Sequence, residues 1–217
     1  MSSDIAATGV TSDPELTPPA EPESTMYNDY INKLMGPYTD IRFHLPYLFR
    51  TALQYPKARI LEIGTRDGNS TSAFLAAAEA VDGVVYSVDI AKPDIPDDVM
   101  SRWLRSKKWE SIRAHSLTVS ADLPFDIVFL DGSHELYETL AELRRFHTMI
   151  KPGGRLLCHD TEWVGLDDSS NQWMISEKHI GYGPVAWALD WFCREHGADG
   201  WTWFNHPGSF GLGEMRF

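Results

Sequence analysis

The sequence contains little cysteine and no long apolar run. The first argues against a cysteine-based metal site, and the second against a membrane-spanning helix. Its two cysteines, Cys158 and Cys193, lie in a predicted strand and a predicted helix, where we expect buried, reduced thiols and no C-x-x-C metal site. No apolar run approaches the ~20 residues of a membrane span. The N-terminus lacks the basic start and apolar stretch of a signal peptide. We therefore expect a cytoplasmic protein with no membrane partner.

Basic residues are also scarce. The chain has 19 Lys and Arg against 31 Asp and Glu, a formal charge of −12. Such a charge argues against a polyanionic partner, so nucleic acid is not expected. Residues 1–25 contain hardly any large apolar side chain and are predicted to be a flexible tail.

The remaining residues predict one α/β domain behind a helical cover. Residues 26–57 show helical spacing in two runs and are predicted to be the N-terminal helical cover, and residues 58–217 the main domain. Strands are predicted at 58–63, 84–90, 109–115, 125–130 and 155–158, and helices at 70–80, 97–106, 135–150 and from 183 to just before 197. Lys151-Pro-Gly-Gly154 is expected to end the third of these helices. Strands 201–205 and 211–217 form a closing hairpin, so the sheet is doubly wound, mostly parallel, with one antiparallel member.

The stretch Phe125–His134 is a candidate functional site because a predicted buried strand ends there in polar residues. In open α/β sheets, ligands bind at the carboxyl ends of the strands. Asp131 and His134, three residues apart at such an end, are therefore candidates for chemistry.

A glycine-containing loop, Leu61–Thr71, joins the first strand to its helix. Gly64 and Gly68 permit a tight turn and close approach by a ligand, and the following helix N-terminus suits an anion. Arg66 stands where a dinucleotide fingerprint would have its second glycine, which disfavours an oxidoreductase. Asp89 ends the next strand and suits the hydroxyls of an adenosine ribose. Taken singly, the glycines are also explained as turns and the acid as a helix cap.

These motifs together resemble those of class I S-adenosylmethionine-dependent methyltransferases. The matching segments are Leu61-Glu-Ile-Gly-x-x-x-Gly-x-Ser70, Val85-x-x-Val-Asp89, Phe125-Asp-x-Val-x-x-Asp-Gly132 and Pro152-Gly-Gly154. The resemblance implies a Rossmann-like seven-stranded sheet with a reversed last strand and S-adenosylmethionine as cofactor. It further implies that Glu62, Gly64 and Gly68 shape the methionine end of the site, that Asp89 holds the ribose and that Ser116 lies near the adenine. The cofactor-binding residues expected on this basis are Glu62, Gly64, Gly68, Asn69, Ser70, Asp89, Ser116 and Asp131.

Acids at the ends of two successive strands also predict a metal site. Asp131 ends one strand and His159-Asp160 end the next, and neighbouring strands lie about 4.8 Å apart. Carboxylate oxygens suit Mg²⁺, whereas a histidine is more usual for Mn²⁺, Fe²⁺ or Zn²⁺.

Asp131-Gly-Ser-His134 with the His159-Asp160 pair resembles the metal-dependent O-methyltransferases that act on sugars of natural products, of the macrocin, mycinamicin and novobiocin type. The resemblance implies Asp131, His159 and Asp160 as ligands of a divalent metal, Mg²⁺ by preference, although the family commonly has an acid in place of His159. It implies His134 as the general base and a homodimer or larger homo-oligomer. The acceptor would be a hydroxyl of a saccharide or glycosylated metabolite, such as a mannoside of an actinobacterial methylated polysaccharide.

His134 stands at the start of a predicted helix, whose positive end is expected to lower its pKa and keep it neutral as a base. Two simpler roles stay open: His134 as a helix cap, and Asp131 as a water-mediated partner of the cofactor's amino group. A metal-independent small-molecule methyltransferase and a non-catalytic cofactor-binding protein also stay open. Residues 161–182 are expected to form a lid or acceptor loop over the site.

Overall fold

The computed structural model describes residues 39–120, 124–163 and 183–216. The expected flexible tail (1–25), the first predicted helix of the N-terminal cover and most of the predicted lid lie outside these ranges. Within them, no helix is long and apolar enough to cross a membrane.

The described residues form a single seven-stranded sheet in the order β3-β2-β1-β4-β5-β7-β6. Strands β1 to β5 pair in parallel, and β7 runs antiparallel to both β5 and β6. This topology confirms the predicted Rossmann-like α/β fold with one antiparallel strand. The strands are β1 (Arg59–Ile63), β2 (Val84–Asp89), β3 (Trp109–Arg113), β4 (Phe125–Leu130), β5 (Ile150–His159), β6 (Thr202–His206) and β7 (Leu212–Arg216).

Helices cover both faces of the sheet because alternate strand residues point to opposite sides. On β1, Ile60 belongs to one buried cluster, together with the helices that precede and follow that strand. Leu61 and Ile63 belong to a second cluster, with the last two long helices. The helices are α1 (Leu45–Leu53), α2 (Asn69–Val81), α3 (Asp97–Ser106), α4 (Leu136–Phe146) and α5 (Pro184–Glu195).

The prediction of one helix over 135–150, ended by Lys151-Pro-Gly-Gly154, was wrong at its C-terminal end. Helix α4 stops at Phe146, a 3-10 turn follows, and strand β5 already begins at Ile150. Ile150 pairs with Phe125, and the register then shifts so that Ile127 faces Arg155. Lys151–Gly154 is therefore a bulge inside β5. Pro152 is tolerated because, among the described residues, β7 pairs with β5 at 156–159 and no strand pairs with that side of β5 at Pro152.

Candidate active site

A cleft of about 850 Å³ opens at the carboxyl ends of β1, β2, β4 and β5. Most of the residues predicted to bind the cofactor or perform chemistry line it: Gly64, Asn69, Ser70, Asp89, Ser116, Asp131, His134 and Asp160. Three others, Glu62, Gly68 and His159, lie behind the cleft wall.

Glu62 is completely buried beneath the loop that joins β1 to α2. Its carboxyl oxygens accept hydrogen bonds of 2.6 Å from both Ser70 and Thr71, and a further one from Ser87 on β2. Burial raises the pKa of Glu62 to about 7, although these hydroxyl groups oppose the increase. Glu62 thus ties the start of α2 to the sheet and shapes the cleft from below, while direct contact with a cofactor stays a prediction.

Gly64 and Gly68 both have positive φ angles, as expected for a tight turn. The space that a side chain would need is occupied by the protein itself. A Cβ atom on Gly64 would lie 2.2 Å from the carbonyl oxygen of Asp131, and one on Gly68 would lie 2.7 Å from Cδ1 of Ile95. Gly64 therefore allows the loop to pack directly against the end of β4.

Asp89 holds the same loop in place from the end of β2. Its Oδ2 accepts hydrogen bonds from the backbone N–H groups of Thr65 and Arg66, at 2.9 and 3.0 Å, and its Oδ1 accepts one from Ala91. Partial burial raises its pKa, but these N–H groups outweigh that effect and the net shift is downward. Backbone N–H groups thus occupy much of the acceptor capacity of Asp89, and its contact with a ribose hydroxyl stays a prediction.

Thr65 was not predicted from the sequence, although it follows Gly64 directly. Thr65 is 2% exposed and lines the cleft. Its Oγ1 is buried and has no hydrogen-bond partner among the described residues. A buried hydroxyl without a partner is costly, so a ligand that supplies one fits this position. The Thr65 hydroxyl therefore suits a polar group of S-adenosylmethionine.

Four ionisable side chains meet where β4 and β5 end. Nε2 of His134 lies 2.8 Å from Oδ2 of Asp160 and 3.8 Å from Oδ1 of Asp131. Nδ1 of His159 lies 3.3 Å from an oxygen of each of the same two carboxylates. Asp131, His134 and Asp160 can each place one ligand atom within 4.8 Å of the others.

The expectation that the helix start would lower the pKa of His134 was wrong. Hydrogen bonds to Asp131 and Asp160 raise it to about 9, despite partial burial. Helix α4 begins only at Leu136, whereas the carboxylates lie 2.8 and 3.8 Å from Nε2 of His134. Two full charges within 4 Å outweigh a partial helix charge.

His159 is held on its other side by the turn between β6 and β7. Its Nε2 lies 2.8 Å from the carbonyl oxygen of Ser209, a position in which an N–H on Nε2 donates to that oxygen. Burial lowers the pKa of His159, but Asp131 and Asp160 raise it to about 10 overall. His44 binds the preceding carbonyl, Gly208, in the same way at 2.6 Å. The two histidines thus fix the turn beside the ends of β4 and β5.

The four groups suit a divalent cation. Asp131 and Asp160 present hard oxygen donors, and in the described structure their negative charge is balanced by two imidazoles that gain protons beside them. Asp160 itself has a positive φ of 63°, a strained conformation that turns its carboxyl group back toward the cleft. A cation that replaces those protons would find two carboxylates and two imidazole nitrogens in its surroundings.

Comparison with known proteins agrees with this geometry. Residues 61–161 match the model of a family described as a methyltransferase domain. An O-methyltransferase from Aspergillus hancockii, hkm8, is 25% identical over 122 residues, which cover 54% of this chain. The chain spans only 48% of the length of that relative.

Solved structures share the fold at low identity. The O-methyltransferase from Bacillus cereus in complex with SAH superimposes with a TM-score of 0.60 at 17% identity, covering 89% of this chain and 91% of that one. The MycE methyltransferase of the mycinamycin biosynthetic pathway, solved with Mg, SAH and mycinamycin VI, gives 0.59 at 17% identity, covering 89% and 55%. The Podospora anserina methyltransferase PaMTH1 with SAH gives 0.57 at 15% identity, covering 89% and 88%. Residues 61–161 thus match a methyltransferase-domain family, and the described sheet has the Rossmann-like methyltransferase fold that the sequence motifs predicted.

Proposed function

We propose that the protein is a divalent-metal-dependent O-methyltransferase that moves the methyl group of S-adenosylmethionine to a hydroxyl of a saccharide or glycosylated metabolite. The observation on which this proposal depends is the convergence of Asp131, Asp160 and His134 within 4.8 Å at one end of the cleft. That arrangement combines a site for a hard cation with an imidazole open to the cleft. The O-methyltransferase relatives and the Mg in the MycE complex support it.

Asp131 and Asp160 would bind the cation, and His159 is the better candidate for the third protein ligand. Its Nε2 is engaged by the carbonyl of Ser209, which leaves Nδ1 facing the carboxylates. A histidine that ligates a metal usually makes such a bond with its other ring nitrogen. Its side chain is only 1% exposed, so His159 is too deeply buried to meet an acceptor.

His134 is the better candidate for the general base. Its side chain is 36% exposed, and the residue lines the cleft beside Asp160. With Asp131 and Asp160 bound to the cation, Nε2 would be free to accept the proton of the acceptor hydroxyl, and the hydroxyl oxygen would bond to the methyl carbon as the carbon–sulfur bond breaks. A bound divalent cation lowers the pKa of an aliphatic hydroxyl. Without that effect, the hydroxyl is too weak an acid for neutral imidazole to deprotonate it readily.

A saccharide acceptor is favoured by Trp163, which lies four residues beyond the last residue of β5, His159. Its ring lies 5.1 Å from that of His134, centroid to centroid, and the residue lines the cleft. An aromatic ring beside the base offers a flat apolar surface for the face of a sugar. A mannoside of an actinobacterial methylated polysaccharide is one acceptor of this class.

The test is methyl transfer from labelled S-adenosylmethionine to a panel of mannosides, other glycosides, phenols and amines. The enzyme is assayed as prepared, after dialysis against EDTA and after Mg²⁺, Mn²⁺ or Zn²⁺ is restored. We expect transfer to a glycoside hydroxyl that EDTA abolishes and a metal restores. The variant Asp160→Asn should stay inactive after metal is restored, whereas Asp97→Asn on the exposed surface of α3 should behave like the wild type.

A metal-independent methyltransferase is the second candidate, and the 2.8 Å contact between His134 and Asp160 favours it. If an N–H on Nε2 donates to Asp160, the other ring nitrogen, Nδ1, could act as the base without a metal. Activity that survives EDTA, with transfer to a phenol or amine, would establish this alternative. Binding of S-adenosylhomocysteine without transfer to any acceptor would instead favour a non-catalytic cofactor-binding protein.

Three further properties belong to the same proposal. The acidic charge and the resemblance favour a cytoplasmic protein without a nucleic-acid partner, assembled as a homodimer or larger homo-oligomer. Light scattering after size-exclusion chromatography would measure the oligomeric state, and a monomer would remove that part of the proposal.

A further inference from the structure

The order of the strands determines which end of the cleft receives each part of the cofactor. If the reacting methyl group lies near Asp131 on β4 and the ribose lies at Asp89 on β2, the cofactor extends across β1. Its adenine must then continue in the same direction, toward the end of β3, because β3 follows β2 in the sheet. Ala114 and Ser116 line the cleft at that end.

A buried carboxyl group faces the same end of the cleft from helix α4. Glu142 is 2% exposed and lines the cleft together with Ser116, whose hydroxyl acts to lower the pKa of the carboxyl group. Burial raises its pKa to about 7, against the effect of the Ser116 hydroxyl. No Lys or Arg pairs with Glu142 among the described ion pairs; of the charges near it, Glu138 raises its pKa and His134 lowers it.

The packing of helix α4 does not require a carboxyl group at position 142. Its neighbours in the helix, Leu140 and Leu143, are buried and apolar, and an apolar residue at 142 would avoid the cost of burying a carboxyl group. Buried ionisable groups that line a cleft often serve ligand binding.

We propose that Glu142, which lines the cleft with Ser116, accepts a hydrogen bond from the exocyclic 6-amino group of the cofactor's adenine and selects adenine over purines with a 6-oxo group. This inference rests on the proposed use of S-adenosylmethionine, and it is independent of the metal and of the acceptor. The 6-amino group is a donor, which a carboxylate oxygen satisfies. A 6-oxo group is an acceptor and would face the carboxylate as a second acceptor.

The test compares binding of S-adenosylhomocysteine with binding of S-inosylhomocysteine, its 6-oxo counterpart, by calorimetry. Titrations are made at a pH of about 8.5, so that Glu142 is ionised. The proteins are the wild type, Glu142→Gln and the control Glu110→Gln, an exposed residue of β3. Glutamine has the same shape as glutamate, and its amide group both accepts and donates, so it can bind either purine. Thermal melting of each variant verifies folding.

We expect the wild type and Glu110→Gln to prefer the adenosyl ligand by about tenfold or more. In Glu142→Gln the preference should fall to about threefold or less, because the amide N–H group now donates to the 6-oxo group and improves inosyl binding. An unchanged preference in Glu142→Gln, or no preference in the wild type, would overturn the inference. If the wild type binds neither ligand, the proposed cofactor itself is wrong.

Glu142→Met provides a second test that removes the acceptor altogether. It should weaken binding of the adenosyl ligand by about tenfold and leave no preference between the two ligands. If Glu142 serves only to brace Ser116, the variant would keep the wild-type preference for the adenosyl ligand, and the inference would fail.

Discussion

Nε2 of His134 lies 2.8 Å from Oδ2 of Asp160, and Nδ1 of His159 lies 3.3 Å from Oδ1 of the same carboxyl group. Asp160 is therefore held between two imidazoles that differ in exposure and in their other contacts. His134 opens to the cleft, whereas His159 is buried and bound to the turn between β6 and β7. This difference separates the proposed base from the proposed metal ligand.

Single replacements should distinguish the proposed roles of the two histidines, His134 as base and His159 as metal ligand. His134→Ala is expected to lower kcat by about 10²- to 10⁴-fold, as for loss of a general base, with little change in affinity for Mn²⁺ or Mg²⁺. His159→Ala is expected to weaken metal binding by about 10- to 100-fold or more, because it removes a ligand or its closest support. Metal affinity is measured by calorimetry on the EDTA-treated protein and kcat at saturating metal. If His134→Ala abolishes metal binding and His159→Ala does not, the roles are reversed.

The unpartnered hydroxyl of Thr65 predicts a contact with the cofactor. Thr65→Val keeps the shape of the side chain and removes its Oγ1, which is buried without a partner among the described residues. We expect affinity for S-adenosylhomocysteine to fall by about tenfold, while stability without ligand stays the same or rises. Thr202→Val on the exposed side of β6 is the control. Unchanged affinity in Thr65→Val would show that this hydroxyl does not meet the ligand.

Gly64 should tolerate no side chain. Its φ is +91°, and a Cβ atom would lie 2.2 Å from the carbonyl oxygen of Asp131. Gly64→Ala is expected to lower the free energy of unfolding by at least about 3 kcal/mol, from backbone strain and overpacking together. Gly153→Ala is a matched control, since Gly153 also has a positive φ, +77°, but nothing lies within 4 Å of its added Cβ. The free energy of unfolding of that control should fall by only about 1 kcal/mol. Urea unfolding measures both variants. Equal losses in the two variants would contradict the assigned packing.

Glu214 on β7 should contribute to stability in a manner that depends on pH. Burial raises the pKa of this fully buried carboxyl group, but His206, Arg216 and Tyr47 bind it and bring the pKa down to about 2. Arg155 also lies 2.9 Å from it. Because the folded pKa lies below the unfolded value of 4.5, the ionised form stabilises the fold above pH 4.5. This contribution is lost as the pH falls from 4.5 through about 2.

Urea midpoints measured from neutral to acid pH would test this prediction. The stability of the wild type should fall more steeply through that acid range than the stability of Glu214→Gln. The variant should be less stable at pH 7, and it has no carboxyl group at position 214 to titrate. Glu195→Gln serves as control, because that carboxylate lies on the surface beside Arg144. Parallel pH profiles for the wild type and Glu214→Gln would show that Glu214 is not the group responsible.

Sequence reasoning placed the strand ends well because it depends on local pattern. Asp89, Asp131 and Asp160 lie at or just after the ends of largely apolar strands, and the parallel sheet brings such ends to one edge. The error at 135–150 arose where local signals conflict with pairing across the sheet. Pro152 and Gly153 suggest a break, yet β4 extends the strand through them by a bulge.

The amino-acid sequence by itself determined the alternation of strands and helices, the glycine loop and the acids that end the strands, because each depends on neighbouring residues and on a regular period. The tertiary structure decided the charge of His134, the burial of Glu142 against Ser116, the bond from His159 to Ser209 and the missing partner of Thr65. Those properties depend on distances between residues far apart in the chain, and on how much water each site retains. A pKa or an unpaired hydroxyl has no local pattern, so only the folded arrangement reveals it.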